Sequence, residues 1–288
     1  MRLLITGPTG FLGFNLCKKL VDSDIEIYAI SRNLPPLSRK VESKNINYFQ
    51  LEEINIDEFI LKNNINGVIH CATNYGRNDN ALDTLQANLT FPLTILLASI
   101  KADVEFFINT DTILDKRVNS YSLSKKQFLD WLYYFKSNIN CFNLSLEHFY
   151  GPGDSDGKFT TYIIRELVKN TKQINLTPGK QKRDFIYIDD VVSAFICIID
   201  VIKNYKTGEI HNIQIGSGVN TSIYDFANLV KNIVGNNNTN LNFGAIPYRE
   251  NEVMQSDVNL VNILKLGWLP KVSLQKGLEK TIKHELLI

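Results

Sequence analysis

The sequence predicts an α/β protein with a doubly wound parallel sheet and a smaller C-terminal lobe, on three observations. A glycine-rich loop, Thr6-Gly7-Pro8-Thr9-Gly10-Phe11-Leu12-Gly13, joins an apolar strand at residues 2–5 to an amphipathic helical pattern. Strand and helix patterns then alternate to about residue 150, a rhythm that implies right-handed crossovers and parallel strands. From Tyr150-Gly151-Pro152-Gly153-Asp154 onward the texture changes to loops and shorter elements.

The loop explains its own glycines. At Gly7 the chain must turn tightly, at Gly10 a side chain would block a pyrophosphate, and at Gly13 one would push the helix off the sheet. The helix N-terminus then directs N–H groups and a partial positive charge at the anion. Gly7, Thr9, Gly10, Phe11, Leu12 and Gly13 are therefore candidate dinucleotide contacts, joined by Ala72 at the end of the fourth strand, and the sheet is of the Rossmann type. The expected division is a dinucleotide domain over residues 1–150, with about 185–215 returning to it, and a substrate lobe over about 151–184 and 216–288.

Composition narrows the partners. With 44% hydrophobic residues the chain is globular, and a net charge of +1 gives no case for nucleic acid or a membrane surface. Cys17, Cys71, Cys141 and Cys197 lie in apolar runs without close pairing, which reads as reduced thiols in a cytoplasmic protein. His70, His148, His211 and His284 are scattered, so no metal site is expected. A strand beginning at residue 2 leaves no room for an N-terminal signal, and the apolar run Val191 to Ile199 is too short to span a bilayer. That run reads as a buried helix.

The second strand, Ile25 to Ile30, ends at Ser31-Arg32. An acidic residue there would bind the adenosine ribose, whereas arginine can pair with a 2′-phosphate, so Arg32 favours NADPH over NADH; a solvated loop arginine would look the same. Ile46 to Leu51 reads as the third strand, Ile56 to Leu61 as a short helix and Gly67 to Ala72 as the fourth strand. A long helix follows from about Ala81 to Ile100, then a fifth strand over Val104 to Asn109, a helix from about Tyr121 to Phe135 and a strand through Phe142 to Leu146. Val234 to Asn240 reads as a polar turn without chemistry.

Tyr121 and Lys125 sit four residues apart on one helix face. A fixed positive charge favours the phenolate and lowers a tyrosine's pKa, which would fit this pair for proton transfer. Thr110 supplies a hydroxyl at the C-terminal end of the preceding strand, where open α/β sheets bind ligands. Asn88, inside the long helix, is a fourth candidate.

Together with the glycine loop, Ala87-Asn88-Leu89, Tyr150-Gly151-Pro152, Gly179 to Phe185, Asp189-Asp190-Val191-Val192, Gly216-Ser217-Gly218 and Leu266-Gly267-Trp268-Leu269-Pro270, these residues resemble the extended short-chain dehydrogenases/reductases that act on nucleotide sugars. The resemblance implies a catalytic tetrad of Tyr121, Lys125, Thr110 and Asn88, with Thr112 as a second hydroxyl that could exchange roles with Thr110. It also implies a homodimer, built by pairing the helix after Ala81 and the helix of Tyr121 with their symmetry mates. Asn74-Tyr75-Gly76-Arg77, Leu146 to Gly151, Lys158-Phe159 and Arg249 to Met254 are most similar to the branch of CDP-abequose and CDP-paratose synthases, the abequose type being nearer. That branch implies reduction of a 4-keto-deoxysugar for O-antigen and other surface polysaccharides. Tyr75, Thr112, His148, Lys158, Phe159, Arg183 and Arg249 become the candidate substrate contacts, the two arginines for the diphosphate or ribose. The family's usual arginine and asparagine in the strand before Tyr150 are Ser145 and His148 here. His148 reads as a pocket residue or as a buried structural histidine. Asp111 is followed by Thr112 where a 4,6-dehydratase would carry an acid pair, which disfavours dehydration. The rival readings are a 4-epimerase that retains NAD and a non-catalytic dinucleotide sensor.

Overall fold

Leu3, Leu4 and Ile5 are fully buried, as an interior parallel strand covered on both faces requires, and the large sheet is built outward from them. The computed structural model describes residues 1–77 and 80–287. Its strands are β1 (Arg2–Thr6), β2 (Glu26–Ser31), β3 (Ile46–Gln50), β4 (Gly67–His70), β5 (Phe106–Thr112), β6 (Asn140–Leu146), β7 (His148–Tyr150), β8 (Gln173–Leu176), β9 (Lys182–Tyr187), β10 (Ile210–Ile215), β11 (Asn220–Ser222) and β12 (Asn240–Phe243). The α-helices are α1 (Phe11–Leu20), α2 (Ile56–Lys62), α3 (Ala81–Leu85), α4 (Phe91–Lys101), α5 (Ser120–Phe135), α6 (Phe159–Val168), α7 (Ile188–Val201), α8 (Ile223–Val234), α9 (Val261–Lys265) and α10 (Leu274–Glu285).

Seven strands form one sheet in the order β10-β6-β5-β4-β1-β2-β3, parallel across β5-β4-β1-β2-β3. The order reverses direction around β1, the doubly wound arrangement the strand rhythm predicts. Leu4, Val68 and Phe107 from neighbouring strands join Ile95 and Leu96 of α4 and Phe128 of α5 in one apolar core.

The chain divides into two compact units, Met1–Ser145 with Phe195–Ile213, and Leu146–Ala194 with Gln214–Ile288. In the second unit β11, β9 and β7 form a three-stranded sheet, while β8 and β12 pair by themselves. Phe185 of β9 stacks on Phe226 of α8 with ring centroids 4.2 Å apart. Several sequence motifs of this unit are fasteners. Asp184 accepts the Ser217 and Gly218 N–H groups at 2.7 Å each, and Asp190 accepts those of Lys271 and Val272 at 3.0 and 2.9 Å. Trp268 donates its indole N–H to Ser193 at 2.8 Å. The polar stretch after α8 opens at Gly235, whose φ of 71° closes that helix, and leads into β12.

Two elements differ from the sequence reading. The fifth strand runs on to Thr112 instead of ending at Asn109, so Thr110 and Thr112 lie within it. The long helix is not α-helical throughout: Gln86–Thr90 is a π turn between α3 and α4. Its cause is Pro92, which has no N–H to offer the Asn88 carbonyl four residues back; the Phe91 N–H reaches the Gln86 carbonyl and the turn widens.

The glycine loop is packed backbone to backbone. A Cβ on Gly7, whose φ is 69°, would lie 2.7 Å from the Ala72 backbone, and one on Gly13 would lie 2.2 Å from the Gly7 carbonyl oxygen. A Cβ on Gly10 would meet only the Gly7 oxygen, at 3.3 Å. Gly13→Ala should therefore lower the melting temperature by roughly 5 °C, since overpacking costs about 1–3 kcal/mol. Gly10→Ala should change it far less. Equal thermal scans of the two variants would contradict this packing.

Candidate active site

The first unit assembles its candidates at the carboxyl end of the sheet. β4 ends at His70 opposite Asn109, so Thr110 and Thr112 lie beyond the last β4 partner and, two residues apart, on one face of β5. Tyr121 stands in the first turn of α5, which a capping box fixes. Asn119 Oδ1 accepts the Ser122 N–H at 2.8 Å, and Ser122 Oγ accepts the Asn119 N–H at 3.3 Å.

Asn88, turned inward at the π turn and fully buried, ties these parts together. Its Nδ2 donates to the Asn74 carbonyl at 2.8 Å and to Ser124 Oγ at 3.0 Å. Its Oδ1 accepts the Asn74 N–H at 2.8 Å and the Thr73 hydroxyl at 3.1 Å. Asn74 in turn accepts the Gly76 N–H at 2.9 Å. The loop so held brings the Tyr75 ring to 5.2 Å from that of Tyr121, and the Arg77 guanidinium lies 5.4 Å from the Tyr75 ring centre. Asn74 and Arg77 enter the sequence reading only as part of a motif, and Ser124 is given no role there. The signal for the turn that aims Asn88 inward was the proline at position 92.

The two threonines have different partners. Thr110 Oγ1 donates to the His70 carbonyl at 2.9 Å, whereas the Thr112 hydroxyl lies near enough to the Tyr121 phenol to favour its ionised form. Of the two threonines, whose roles the sequence leaves exchangeable, Thr112 is the one whose hydroxyl acts on the phenol. The expected lowering of the Tyr121 pKa by Lys125 is also corrected. Burial pushes the phenol well above its ordinary value, and Tyr75 and Asp111 add to the rise, against the Thr112 bond.

Lys125 is only 2% exposed, and its Nζ has no hydrogen-bond partner among the described residues. Burial brings its pKa from 10.5 down to about 8, opposed by Asp111 and Cys71. Asp111 is itself engaged: it accepts the Thr112 N–H at 2.7 Å, Asn143 Nδ2 at 3.0 Å and Lys126 Nζ at 2.9 Å. His70, stacked beside Phe107 and joined to the Thr6 hydroxyl at 2.8 Å, is pushed well below its ordinary pKa by burial and then by Lys125.

The glycine loop has the features of a dinucleotide cradle. Gly10 caps α1 without a side-chain hydrogen bond, no acidic residue stands in the first turn, and Gly10 itself is open. Ala72 lies against Gly7, its N–H donating to Thr6 Oγ1 at 3.2 Å. Arg32 is exposed just after β2. A second arginine, unnoticed in the sequence, reaches α1: the Arg39 guanidinium lies 5.3 Å from the Phe14 ring centre. The orphaned Lys125 ammonium fits a bound ribose, whose hydroxyls are the acceptors it lacks.

The remaining candidates belong to the second unit. His148 is not a buried histidine: its side chain is 41% exposed, with Nδ1 3.2 Å from Glu147 Oε2. Lys158 pairs with Asp154 at 3.2 Å and lies 3.7 Å from the Phe149 ring centre. Phe159 opens α6 with its ring 5.7 Å from that of Phe226. Arg183 is held by Glu252 and by the carbonyls of Lys182 and Val253. Arg249 is exposed. Among the described residues no group of three His, Cys, Asp or Glu side chains could hold a metal ion, and no helix is long and apolar enough to cross a membrane.

A glycine cradle at the start of a parallel sheet, with a Tyr-x-x-x-Lys pair beside a strand threonine, defines a dinucleotide-binding α/β protein. The chain belongs to the NAD dependent epimerase/dehydratase family, whose model matches residues 3–214. It is 32% identical over 294 residues to CDP-abequose synthase of Salmonella typhimurium, covering 98% of this chain and 97% of that one. It is 26% identical to dTDP-4-dehydro-6-deoxyglucose reductase of Escherichia coli, covering 98% and 96%. Among solved structures, UDP-glucose 4-epimerase of Thermotoga maritima with UDP-glucose superposes with a TM-score of 0.85, at 22% identity, over 99% of this chain and 98% of that one.

The buried ammonium makes a stability prediction. Because the folded pKa of Lys125 lies below the unfolded one, the unfolded chain binds more protons between about pH 8 and 10.5. The burial penalty is thus fully present below about pH 8 and fades as pH rises through that window; its size is about 3 kcal/mol. Lys125→Met should raise the melting temperature by several degrees at pH 7, with the gain shrinking by pH 10. Scanning calorimetry showing no gain at pH 7 would contradict it.

Proposed function

We propose that the protein is an NADPH-dependent reductase of a nucleotide-linked 4-keto-deoxysugar, with CDP-4-dehydro-3,6-dideoxy-D-glucose as substrate and CDP-abequose as product. The observation that carries this reading is the Tyr121 phenol, beside Thr112 and four residues before a buried Lys125 on the same helix, in a chain similar over its whole length to a CDP-abequose synthase. The cofactor, when bound, supplies hydride to the sugar C4. Tyr121 protonates the oxygen formed there, an acid role that suits a phenol whose pKa burial keeps high. Thr112 orients the phenol, and Thr110, at the same strand end, offers a second hydroxyl to the substrate. Lys125 holds the cofactor ribose, and Asn88 keeps Tyr75 and α5 in register.

Dehydration is disfavoured because Asp111 is followed by Thr112 instead of a glutamate that could take a C5 proton, and Asp111 itself already accepts from Thr112, Asn143 and Lys126. His148, Lys158 and Phe159 are assigned to the nucleotide-sugar side, with Arg249; Arg183 would join only by leaving Glu252. Exposed Leu123, Trp131, Tyr133 and Tyr134 on α5 suit a homodimer paired through that helix. The net charge of +1 and the apolar setting of the cysteines support a cytoplasmic enzyme without nucleic-acid or membrane partners, in surface-polysaccharide sugar synthesis.

The test is incubation with NADPH and a panel of CDP-, dTDP- and GDP-linked 4-keto sugars. The CDP-linked 3,6-dideoxy substrate should turn over fastest, and Tyr121→Phe should lower kcat/KM about 10²–10⁴-fold with NADPH affinity retained. Turnover of a nucleotide sugar without added NADPH, by protein carrying its own NAD, would instead identify a 4-epimerase. Arg32→Asp should shift preference towards NADH, because it exchanges a phosphate partner for a ribose-hydroxyl acceptor. A wild-type preference for NADH would contradict the role given to Arg32.

A further inference from the structure

Glu147, only 4% exposed, has no part in the chemistry described above. A buried carboxylate is costly unless its oxygens are bonded, and both are: Oε1 accepts the Ser256 hydroxyl and Oε2 meets His148 Nδ1 at 3.2 Å. Ser256 is buried too, and its carbonyl accepts Asn220 Nδ2 at 2.7 Å, so that side of the carboxylate is anchored. His148 differs. Its imidazole is 41% exposed, edge-on to Phe185 with centroids 6.1 Å apart, and Nε2 has no hydrogen-bond partner among the described residues.

An ionised carboxylate only accepts hydrogen bonds, so Nδ1 carries the proton in this contact. The neutral ring then has its lone pair on Nε2. A surface ion pair would contribute little and would not need a buried carboxylate held by a second donor. Fixing one ring nitrogen so as to set the role of the other is what this arrangement does. A lone pair at Nε2 repels phosphate oxygens and accepts from a hydroxyl.

We propose that Glu147 is a positioning residue: it locks His148 as the Nδ1–H tautomer, making Nε2 the acceptor for a hydroxyl of the nucleotide sugar, on its ribose or its hexose. The ligand class rests on the function proposed above; the tautomer does not.

The experiment is ¹⁵N NMR of the full chain with ring-labelled histidine at pH 8, the His148 signals being identified by their loss in His148→Asn. The expected spectrum shows a protonated Nδ1 and an unprotonated Nε2. Saturating CDP-glucose should shift Nε2 towards the hydrogen-bonded range. The same shift with CDP alone assigns the hydroxyl to the ribose, and a shift with CDP-glucose only assigns it to the hexose. An Nε2–H tautomer or a doubly protonated ring overturns the role of Glu147. The correct tautomer with Nε2 unmoved by bound CDP-glucose overturns the role of the acceptor. Failure of both CDP and CDP-glucose to bind in calorimetry strikes the proposed function and the hydroxyl partner with it, whatever the tautomer. In Glu147→Gln the tautomers should mix, with KM for the sugar nucleotide raised about tenfold and kcat within about twofold. Equal losses in kcat and KM would mark a merely structural carboxylate. The wild-type spectra decide the proposal even if that variant fails to fold.

Discussion

The geometry of the first unit depends on one buried amide. Asn88 uses both ends of its side chain, two donors and one doubly accepting oxygen, on the loop after β4 and on α5. It can do so because Pro92 removes a helical donor and the backbone widens into a π turn at that point. The amide makes all four of the hydrogen bonds open to it, so its burial stabilises one arrangement of loop and helix over others. Tyr75 and Tyr121 are neighbours as a result.

Against that satisfied amide stand two groups the fold leaves in unfavourable surroundings. Lys125 is buried without a partner and Tyr121 is desolvated, each pushed towards its neutral form. Neither state would be chosen for stability alone. A neutral phenol with a raised pKa and an ammonium with no internal bond to break are the states that the proposed roles of Tyr121 and Lys125 call for. The neighbouring carboxylate is engaged by contrast: Asp111 accepts from Lys126, from Asn143 and from the Thr112 N–H.

The fold was legible because backbone constraints leave marks in sequence. Gly7 and Gly13 are required by contacts of 2.7 and 2.2 Å, and the apolar run of β1 by burial on both faces. Asp184, Asp190 and Trp268 belong to motifs that carried the family resemblance and prove to fasten the second unit. The site was less legible, for reasons of distance and direction. Whether Thr110 or Thr112 meets the phenol depends on rotamers at the end of one strand, which no spacing rule encodes. The sign of the Tyr121 shift depends on burial, which outweighs the neighbouring charge that the Tyr-Lys spacing suggested. Arg183 meets Glu252, 69 residues away, and Glu147 meets Ser256, 109 residues away, so neither partner could be found from local pattern.

The central claim is directional: hydride arrives at sugar C4 and Tyr121 supplies the proton. It is tested most directly by reduction of CDP-4-dehydro-3,6-dideoxy-D-glucose with NADPH deuterated at the transferring position of the nicotinamide, followed by NMR of the product. The account predicts one deuterium at C4 of the sugar, in a single configuration, with one NADPH consumed per product. Product without deuterium at C4, or an interconversion of sugars that consumes no NADPH, would contradict it.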